Sequence, residues 1–334
     1  LIKTDIAIIG AGPVGLFTAF QAGMLGLKSI IIDSLEFMGG QCAALYPEKP
    51  IYDIPGFEHI SGSELVENLY RQAKPFNPHL LLNNTVTCIK RENHKWQLKT
   101  SQNNEIEVSA IIIAAGGGAF GPNKPPLESI ESFEGKSVFY MVNKKEGFRD
   151  KVVVVAGGGD SAVDWTIILS GIAKKVYVVH RRDKFRALPE NINKMHEISK
   201  TGKIEFVIPY QLSAIRGESG YLKEVEVIDL DNNVRTIEAD ILLPFFGLAM
   251  ELGAIADWGL NFDKKHIAVD PVNMTTNLEN IYAVGDVATY KGKLKLILTG
   301  FSEAALACHS VYSVVYPNKP LHFEYSTTKG IPKI

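Results

Sequence analysis

Asp5-Ile6-Ala7-Ile8-Ile9-Gly10-Ala11-Gly12-Pro13-Val14-Gly15 and Val152-Val153-Val154-Val155-Ala156-Gly157-Gly158-Gly159-Asp160-Ser161-Ala162 are one pattern written twice in a single chain. In each, an apolar run reads as a buried strand, a glycine-rich turn follows, and a helical stretch opens directly after it. The first glycine permits a tight turn, and the second lets the backbone approach a pyrophosphate. The third small residue lets helix and strand pack closely. The phosphates then sit at a helix N-terminus, where N–H groups and the helix dipole favour an anion. On this reading Gly10, Gly12 and Gly15 belong to one dinucleotide site. Gly157, Gly159, Asp160, Ser161 and Ala162 belong to a second. A single GxGxxG is weak, because a tight strand-to-helix turn needs no ligand. Two copies in the same context are far stronger.

The two copies differ in charge at their far ends. Eighteen residues after Gly15, Asp33 closes the apolar run Ser29-Ile30-Ile31-Ile32. Eighteen residues after Ala162 comes His180, followed by Arg181 and Arg182. A carboxylate at that register accepts hydrogen bonds from ribose hydroxyls, as in FAD or NAD, whereas a His-Arg-Arg cluster pairs with the 2′-phosphate that only NADP carries. A basic run such as Val179 to Arg186 is usually a solvated loop. Its register singles it out here, and the planar guanidinium forks of Arg181 and Arg182 suit a phosphate, with Arg186 assisting. The chain therefore reads as holding FAD in one site and NADPH in the other, which points to a flavin-dependent oxidoreductase.

Bulk properties agree. At 334 residues the chain is long enough for two domains, taking about 150 residues each. Hydrophobic content of 46% and charged content of 22% are those of a globular protein, and a net charge of −2 argues against nucleic acid or an anionic membrane as partner. No apolar run reaches the roughly 18 residues that span a bilayer. The first strand begins almost at once, so no signal peptide is expected. Cys42, Cys88 and Cys308 are odd in number and far apart, which suggests a reducing compartment and no disulfide framework. The cytoplasm is the expected location.

Outside the two fingerprints, the loop from Met38 to Phe57 is rich in Gly and aromatics, and Glu64 to Lys74 looks helical. Thr85 to Val108 alternates in short stretches, as in an antiparallel meander. The buried run Ile111 to Ala115 ends at Gly116. The pattern restarts after Gly121-Pro122, with a second meander expected over Ile204 to Ile237 and a closing strand at Ile241 to Gly247. Ile281 to Val284 reads as another strand, leading through Gly285-Asp286 to an apolar helix from Gly300 to Val315. The expected fold is α/β, with two Rossmann-like, three-layer ββα dinucleotide-binding domains. The FAD-binding domain is discontinuous, 1–120 plus 247–334, and the NADPH-binding domain, 121–246, is inserted in it. Asp286 sits where a carboxylate reaches a ribityl or phosphate-linked hydroxyl; by itself it would be an N-cap.

Gly157-Gly158-Gly159-Asp160-Ser161-Ala162-Val163-Asp164-Trp165, Val179 to Ala187 (VHRRDKFRA) and Tyr282 to Val287 (YAVGDV) resemble the thioredoxin reductase group of flavoproteins. In that group a redox Cys-x-x-Cys lies shortly before the second fingerprint. The matching stretch here, Tyr140-Met141-Val142-Asn143, has no cysteine. The chain therefore resembles the subgroup that lacks the dithiol, the thioredoxin reductase-like ferredoxin–NADP⁺ reductases. Residues 12–20, 39–57 and 258–260 also match, so the resemblance covers nearly the whole chain.

The resemblance implies FAD contacts at Gly12, Asp33, Gln41, Tyr46, Val86, Phe120, Asp286 and Thr327. It also implies aromatic rings against the two flavin faces from Tyr46 and Tyr325, and a homodimer. Without the dithiol, electrons must leave the flavin directly, so a hydride passes between NADPH and FAD and single electrons pass to or from ferredoxin. The flavin carries that chemistry, and no protein acid or base is needed. Ferredoxins are usually acidic, which calls for a basic docking patch. Lys291, Lys293 and Lys295, or Lys144, Lys145 and Arg149, are candidates, though such runs are more often solvated charge. The alternatives are a reductase of flavodoxin, quinone or free flavin, and a non-catalytic FAD/NADP redox sensor. No metal site is expected.

Overall fold

Ile6–Ile9 (β1), Pro13–Met24 (α1) and Ser29–Ile32 (β2) form the first strand–helix–strand unit of the computed structural model, which describes residues 1–321 and 326–330. β1 runs parallel to β2, with Ile8 opposite Ile31, and on its other edge parallel to Ala110–Ile113, with Ile8 opposite Ile112. Ile281–Ala283 and His79–Leu81 add the outer strands, so five parallel strands make one sheet. A parallel sheet is covered on both faces, which is why its strands are unbroken apolar runs rather than alternating ones. One face meets α1 and the helix Ile297–Val315, which pack against each other. The antiparallel strands Val86–Glu92, Lys95–Thr100 and Glu105–Val108 contribute Trp96, Leu98, Ile106 and Val108 to the same core.

Val152–Ala156 (β3), Asp160–Ser170 (α2) and Lys175–Val179 (β4) repeat the arrangement. Their sheet is also parallel, in the order Ile204–Val207, β4, β3, Ile241–Pro244. Side chains alternate across it. Val153 and Val155 join Trp165 and Leu169 of α2, whereas Val154 and Ala156 join Val225, Val227 and Ile237 of an antiparallel three-stranded sheet. Each half is thus helices, parallel sheet and meander. The chain divides into two compact units, Leu1–Phe120 with Met250–Ile334, and Gly121–Ala249.

Several sequence expectations shift at their edges. Ile204–Val207 joins the parallel sheet, and the meander begins only at Gln211. Pro209 lies between them and offers no N–H to extend a ladder. The helix expected from Glu64 starts at Gly62, because Ser61 caps it: its hydroxyl accepts from the Glu64 N–H, while the Glu64 carboxylate accepts from the Ser61 N–H. The aromatic loop contains a short helix, Gly40–Leu45, and the apolar helix expected from Gly300 begins at Ile297. Among the described residues, no helix is long and apolar enough to cross a membrane.

Packing at the glycine turns has almost no slack. A Cβ on Gly15 would lie 1.9 Å from the Gly10 carbonyl oxygen. On Gly157, where φ is +151°, it would lie 2.6 Å from the Phe245 carbonyl oxygen. Both obstacles are backbone, which cannot rotate aside. Gly15→Ala is therefore expected to lower stability by roughly 1–3 kcal/mol, the usual cost of overpacking, seen as a lower urea midpoint. An unchanged midpoint would mean that α1 shifts away from β1 without cost.

Candidate functional site

In the first unit the glycine turn is tied to the tip of β2. The Ala11 N–H donates to Asp33 Oδ2 at 2.6 Å, and the Leu35 N–H donates to Asp33 Oδ1 at 2.8 Å. Each carboxylate oxygen keeps a further lone pair for an outside donor. Burial pushes the Asp33 carboxyl above its ordinary value, against the downward pull of these two N–H groups. Gly12 is the N-cap of α1, and no side chain caps that helix. Its first N–H groups are left for an anion. A Cβ on Gly12 would meet nothing within 4 Å, so that face of the turn is open.

It opens into a cavity of about 270 Å³. Of the residues expected at FAD, Gly10, Gly12, Asp33, Gln41, Tyr46, Val86 and Asp286 line this cavity. Gly15 does not; its place is the helix–strand contact. Thr327 is exposed in the short helix Ser326–Lys329 and is not part of the lining. Tyr325 and the Phe120 side chain lie outside the described residues. Cys42, inside the matching stretch 39–57, also lines the cavity, as do Asn84, Leu252 and Ile297, which no motif signalled. Asn84 is placed by a turn whose N–H donates to the Asp33 carbonyl oxygen at 2.8 Å. Cys42 Sγ donates to Tyr46 Oη at 3.4 Å. Burial raises both the Cys42 thiol and the Tyr46 phenol, so the pair is uncharged near neutrality.

A buried ion pair stands behind Asp286. The Gly285 N–H donates to Glu303 Oε2 at 2.7 Å, Tyr290 Oη donates to Glu303 Oε1 at 2.7 Å, and the Lys293 ammonium bonds the same Oε1. The side chains of Glu303 and Lys293 are 2% and 5% exposed. Lys293 therefore does not belong to an exposed basic cluster with Lys291 and Lys295. It satisfies a carboxylate that would otherwise be buried without a counter-charge. The triad fixes the turn Gly285–Val287, and with it the position of Asp286.

The second unit has its own cavity, about 590 Å³, lined by Gly157, Gly158, Gly159, His180, Arg181, Arg182, Lys184 and Arg186 among others. Gly159 is the N-cap of α2, again without a side-chain cap, and a Cβ there would meet nothing within 4 Å. Arg186 N–H donates to the Gly158 carbonyl oxygen at 2.7 Å, which joins the basic segment to the glycine turn. The His180 ring covers Gly158 so closely that a Cβ there would lie 2.3 Å from it, and it stacks on Phe185 at 5.2 Å. Burial lowers the His180 pKa, and Arg181, Arg182 and Arg186 push it the same way, against a bond to the Lys184 carbonyl oxygen. His180 is then neutral at pH 7, and the positive charge of this pocket comes from the arginines and Lys184.

Three expected residues lie outside that lining. Asp160 Oδ1 accepts from the Leu188 N–H at 3.3 Å, Ser161 is exposed on the first turn, and Ala162 packs against Gly157, 3.2 Å from where its Cβ would be. Both cavities suit the phosphates and hydroxyls of a dinucleotide: uncapped helix starts and open glycines in each, a carboxylate in one and guanidinium groups in the other. Among the described residues there is no group of three His, Cys, Asp or Glu placed to hold a metal ion.

Residues 4–304 match the pyridine nucleotide-disulphide oxidoreductase family, and the chain belongs to it. It is 57% identical over 327 residues to the ferredoxin–NADP reductase of Rickettsia akari (strain Hartford), covering 98% of each chain. It is 58% identical over 326 residues to the ferredoxin–NADP reductase of Rickettsia felis, covering 98% of this chain and 97% of that one. Among solved structures it is similar to Lactococcus lactis thioredoxin reductase, with 26% identity, a TM-score of 0.78, and coverage of 94% of this chain and 100% of that one. The fold is the thioredoxin reductase-like fold, with two dinucleotide-binding units built on parallel sheets.

Two outcomes are expected from this geometry. Glu303→Leu leaves Lys293 charged and buried, which should cost about 3–5 kcal/mol; adding Lys293→Met should recover most of the loss in chemical denaturation. Equal stability of the single and double variants would mean that the pair is not coupled. Because the Asp33 pKa is raised, acidification protonates it before an ordinary aspartate, removing an acceptor for ligand hydroxyls. Flavin retention, followed by fluorescence, should fall as pH drops through that raised value. Asp33→Asn should bind flavin more weakly and lose this component of the pH profile.

Proposed function

We propose that this chain is an FAD-dependent ferredoxin–NADP⁺ reductase. The observation that carries the reading is the contrast at one shared register: Asp33 at the tip of β2, and His180 with Arg181 and Arg182 just past β4, each beside its own glycine turn. The unit Leu1–Phe120 with Met250–Ile334 would hold FAD, and the unit Gly121–Ala249 would hold NADP(H). The names of the Rickettsia relatives agree with this assignment.

The protein's part is to bind and orient. Asp33 accepts from ribose hydroxyls, and the first turn of α1 faces the pyrophosphate. Gln41, Tyr46, Val86 and Asp286 surround the rest of the flavin nucleotide; Phe120, Thr327 and Tyr325 join them on the strength of the resemblance. The uncharged Tyr46–Cys42 pair keeps that wall of the pocket free of fixed charge. In the second unit the first turn of α2 meets the NADP pyrophosphate, and Arg181 and Arg182 meet its 2′-phosphate. Arg186 is held within reach by its bond to Gly158. Bound FAD would supply a centre that exchanges a hydride with NADP(H) and single electrons with a carrier.

No dithiol competes for those electrons. Of residues 140–143, Tyr140 donates its hydroxyl to Glu134 at 2.7 Å and Val142 is buried in the core. Ferredoxin is the proposed carrier, the homodimer the proposed assembly, and the cytoplasm the proposed location.

The test is nucleotide selectivity with ferredoxin as acceptor. Each charge-assisted bond lost to the 2′-phosphate costs about 1.5–3 kcal/mol. Arg181→Ala/Arg182→Ala should therefore raise the KM for NADPH at least about a hundredfold while leaving that for NADH nearly unchanged. Equal losses for both nucleotides would contradict the 2′-phosphate assignment.

A further inference from the structure

The hairpin Phe262–Ala268 turns at Lys264 and Lys265, with Asp263 opposite His266. Its second strand runs parallel to Ala288–Thr289, with Ile267 opposite Ala288. The hairpin therefore lies beside the turn that presents Asp286 to the flavin cavity. Lys295 Nζ is 2.8 Å from His266 Nε2, which joins the segment 291–298 to the same hairpin. That segment also reaches the cavity, because Ile297 lines it.

Two neighbouring elements at the rim of one cavity thus carry Lys264, Lys265, Lys291 and Lys295. Among the described residues, Lys264, Lys265 and Lys291 have no carboxylate within ion-pair distance. The carboxylates that act on His266 are Asp286, which lines the cavity, and Asp263, on the same hairpin. The same segment carries three exposed leucines: Leu294, between Lys291 and Lys295, is 62% exposed, and Leu296 and Leu298, just past Lys295, are 37% and 43% exposed. Exposed apolar side chains on an element that also carries cations are the composition of a protein-binding surface for an acidic partner. The other basic cluster lacks this character, since Arg149 is paired with Glu146 at 2.7 Å and lies in the other unit.

We propose that the rim formed by Lys264, Lys265, Lys291, Leu294 and Lys295 is the docking surface for an acidic one-electron carrier protein. The proposal rests on the functional reading above and adds to it the face that the carrier meets. A second copy of the chain is the poorer occupant. Two-fold contact through this patch sets the lysines against their own copies, which is repulsive at short range. An acidic carrier instead neutralises them, is steered to the cavity mouth, and covers the leucines on contact.

The test uses the FAD-loaded protein, NADPH and an acidic [2Fe–2S] ferredoxin as probe. Lys264→Glu/Lys291→Glu/Lys295→Glu should lower kcat/KM for ferredoxin at least about tenfold and flatten its dependence on ionic strength. Turnover with a small neutral quinone, which needs no docking face, should stay unchanged, and this also certifies that the variant is folded and loaded. Leu294→Ser should weaken ferredoxin binding in calorimetry without altering the salt dependence. Unchanged ferredoxin kinetics in the triple variant would overturn the proposal. So would conversion of a dimer to a monomer in gel filtration, which would make the rim a contact between copies. Failure of the wild-type protein itself to reduce ferredoxin would contradict the functional reading along with the proposal. Loss confined to the variants supports both.

Discussion

Both sites depend on one contact, made where the middle residue of each glycine turn meets the end of the neighbouring strand. In the first unit Ala11 gives its N–H to the Asp33 carboxylate. In the second, Gly158 lies under the His180 ring and takes the Arg186 N–H on its carbonyl oxygen. The same backbone geometry is thus closed by an anion in one case and by a basic segment in the other. In the proposed reading the selectivity of the two pockets follows from that exchange, because the glycine turns and uncapped helix starts are equivalent. Such duplication also explains why the turns cannot drift: Gly15 and Gly157 bring the backbone of the turn against backbone, and a methyl group has nowhere to go.

The far end of the first unit's cavity is organised by a different means. Gly285 and Asp286 are held by a glutamate, a lysine and a tyrosine brought together from the helix Ile297–Val315 and the segment before it. A buried ion pair contributes little net stability compared with well-packed apolar residues, but losing one partner is costly. Its use here is positional: three donors on one carboxylate leave the turn a single arrangement. Lys291 and Lys295, on the same segment, stay exposed at the surface.

Much of this was legible in the sequence, and the misses have physical causes. The strand, turn and helix around Gly10 and Gly157 were legible because buried parallel strands write themselves as unbroken apolar runs, and the aspartate at the eighteenth position of one copy and the arginines just past that position in the other needed only counting. The place of Ile204–Val207 was not legible, since a four-residue apolar-rich strand suits an antiparallel meander as well as a parallel edge. Lys293 alternates with Lys291 and Lys295, and nothing in that pattern reveals that a glutamate ten residues later lies beneath it. Asp160 sits in the fingerprint, yet its carboxylate points to the Leu188 N–H rather than into the cavity. Asn84 and Leu252 reach the first unit's cavity through turns, whose paths depend on packing far along the chain.

The most direct measurement is anaerobic stopped-flow absorbance of the FAD-loaded protein, mixed first with NADPH or NADH and then with an oxidised acceptor. Rapid bleaching of the flavin band by NADPH, much slower bleaching by NADH, and return of the band with ferredoxin but not with thioredoxin are the expected results. Equal bleaching by both nucleotides, or reoxidation by thioredoxin, would contradict the account.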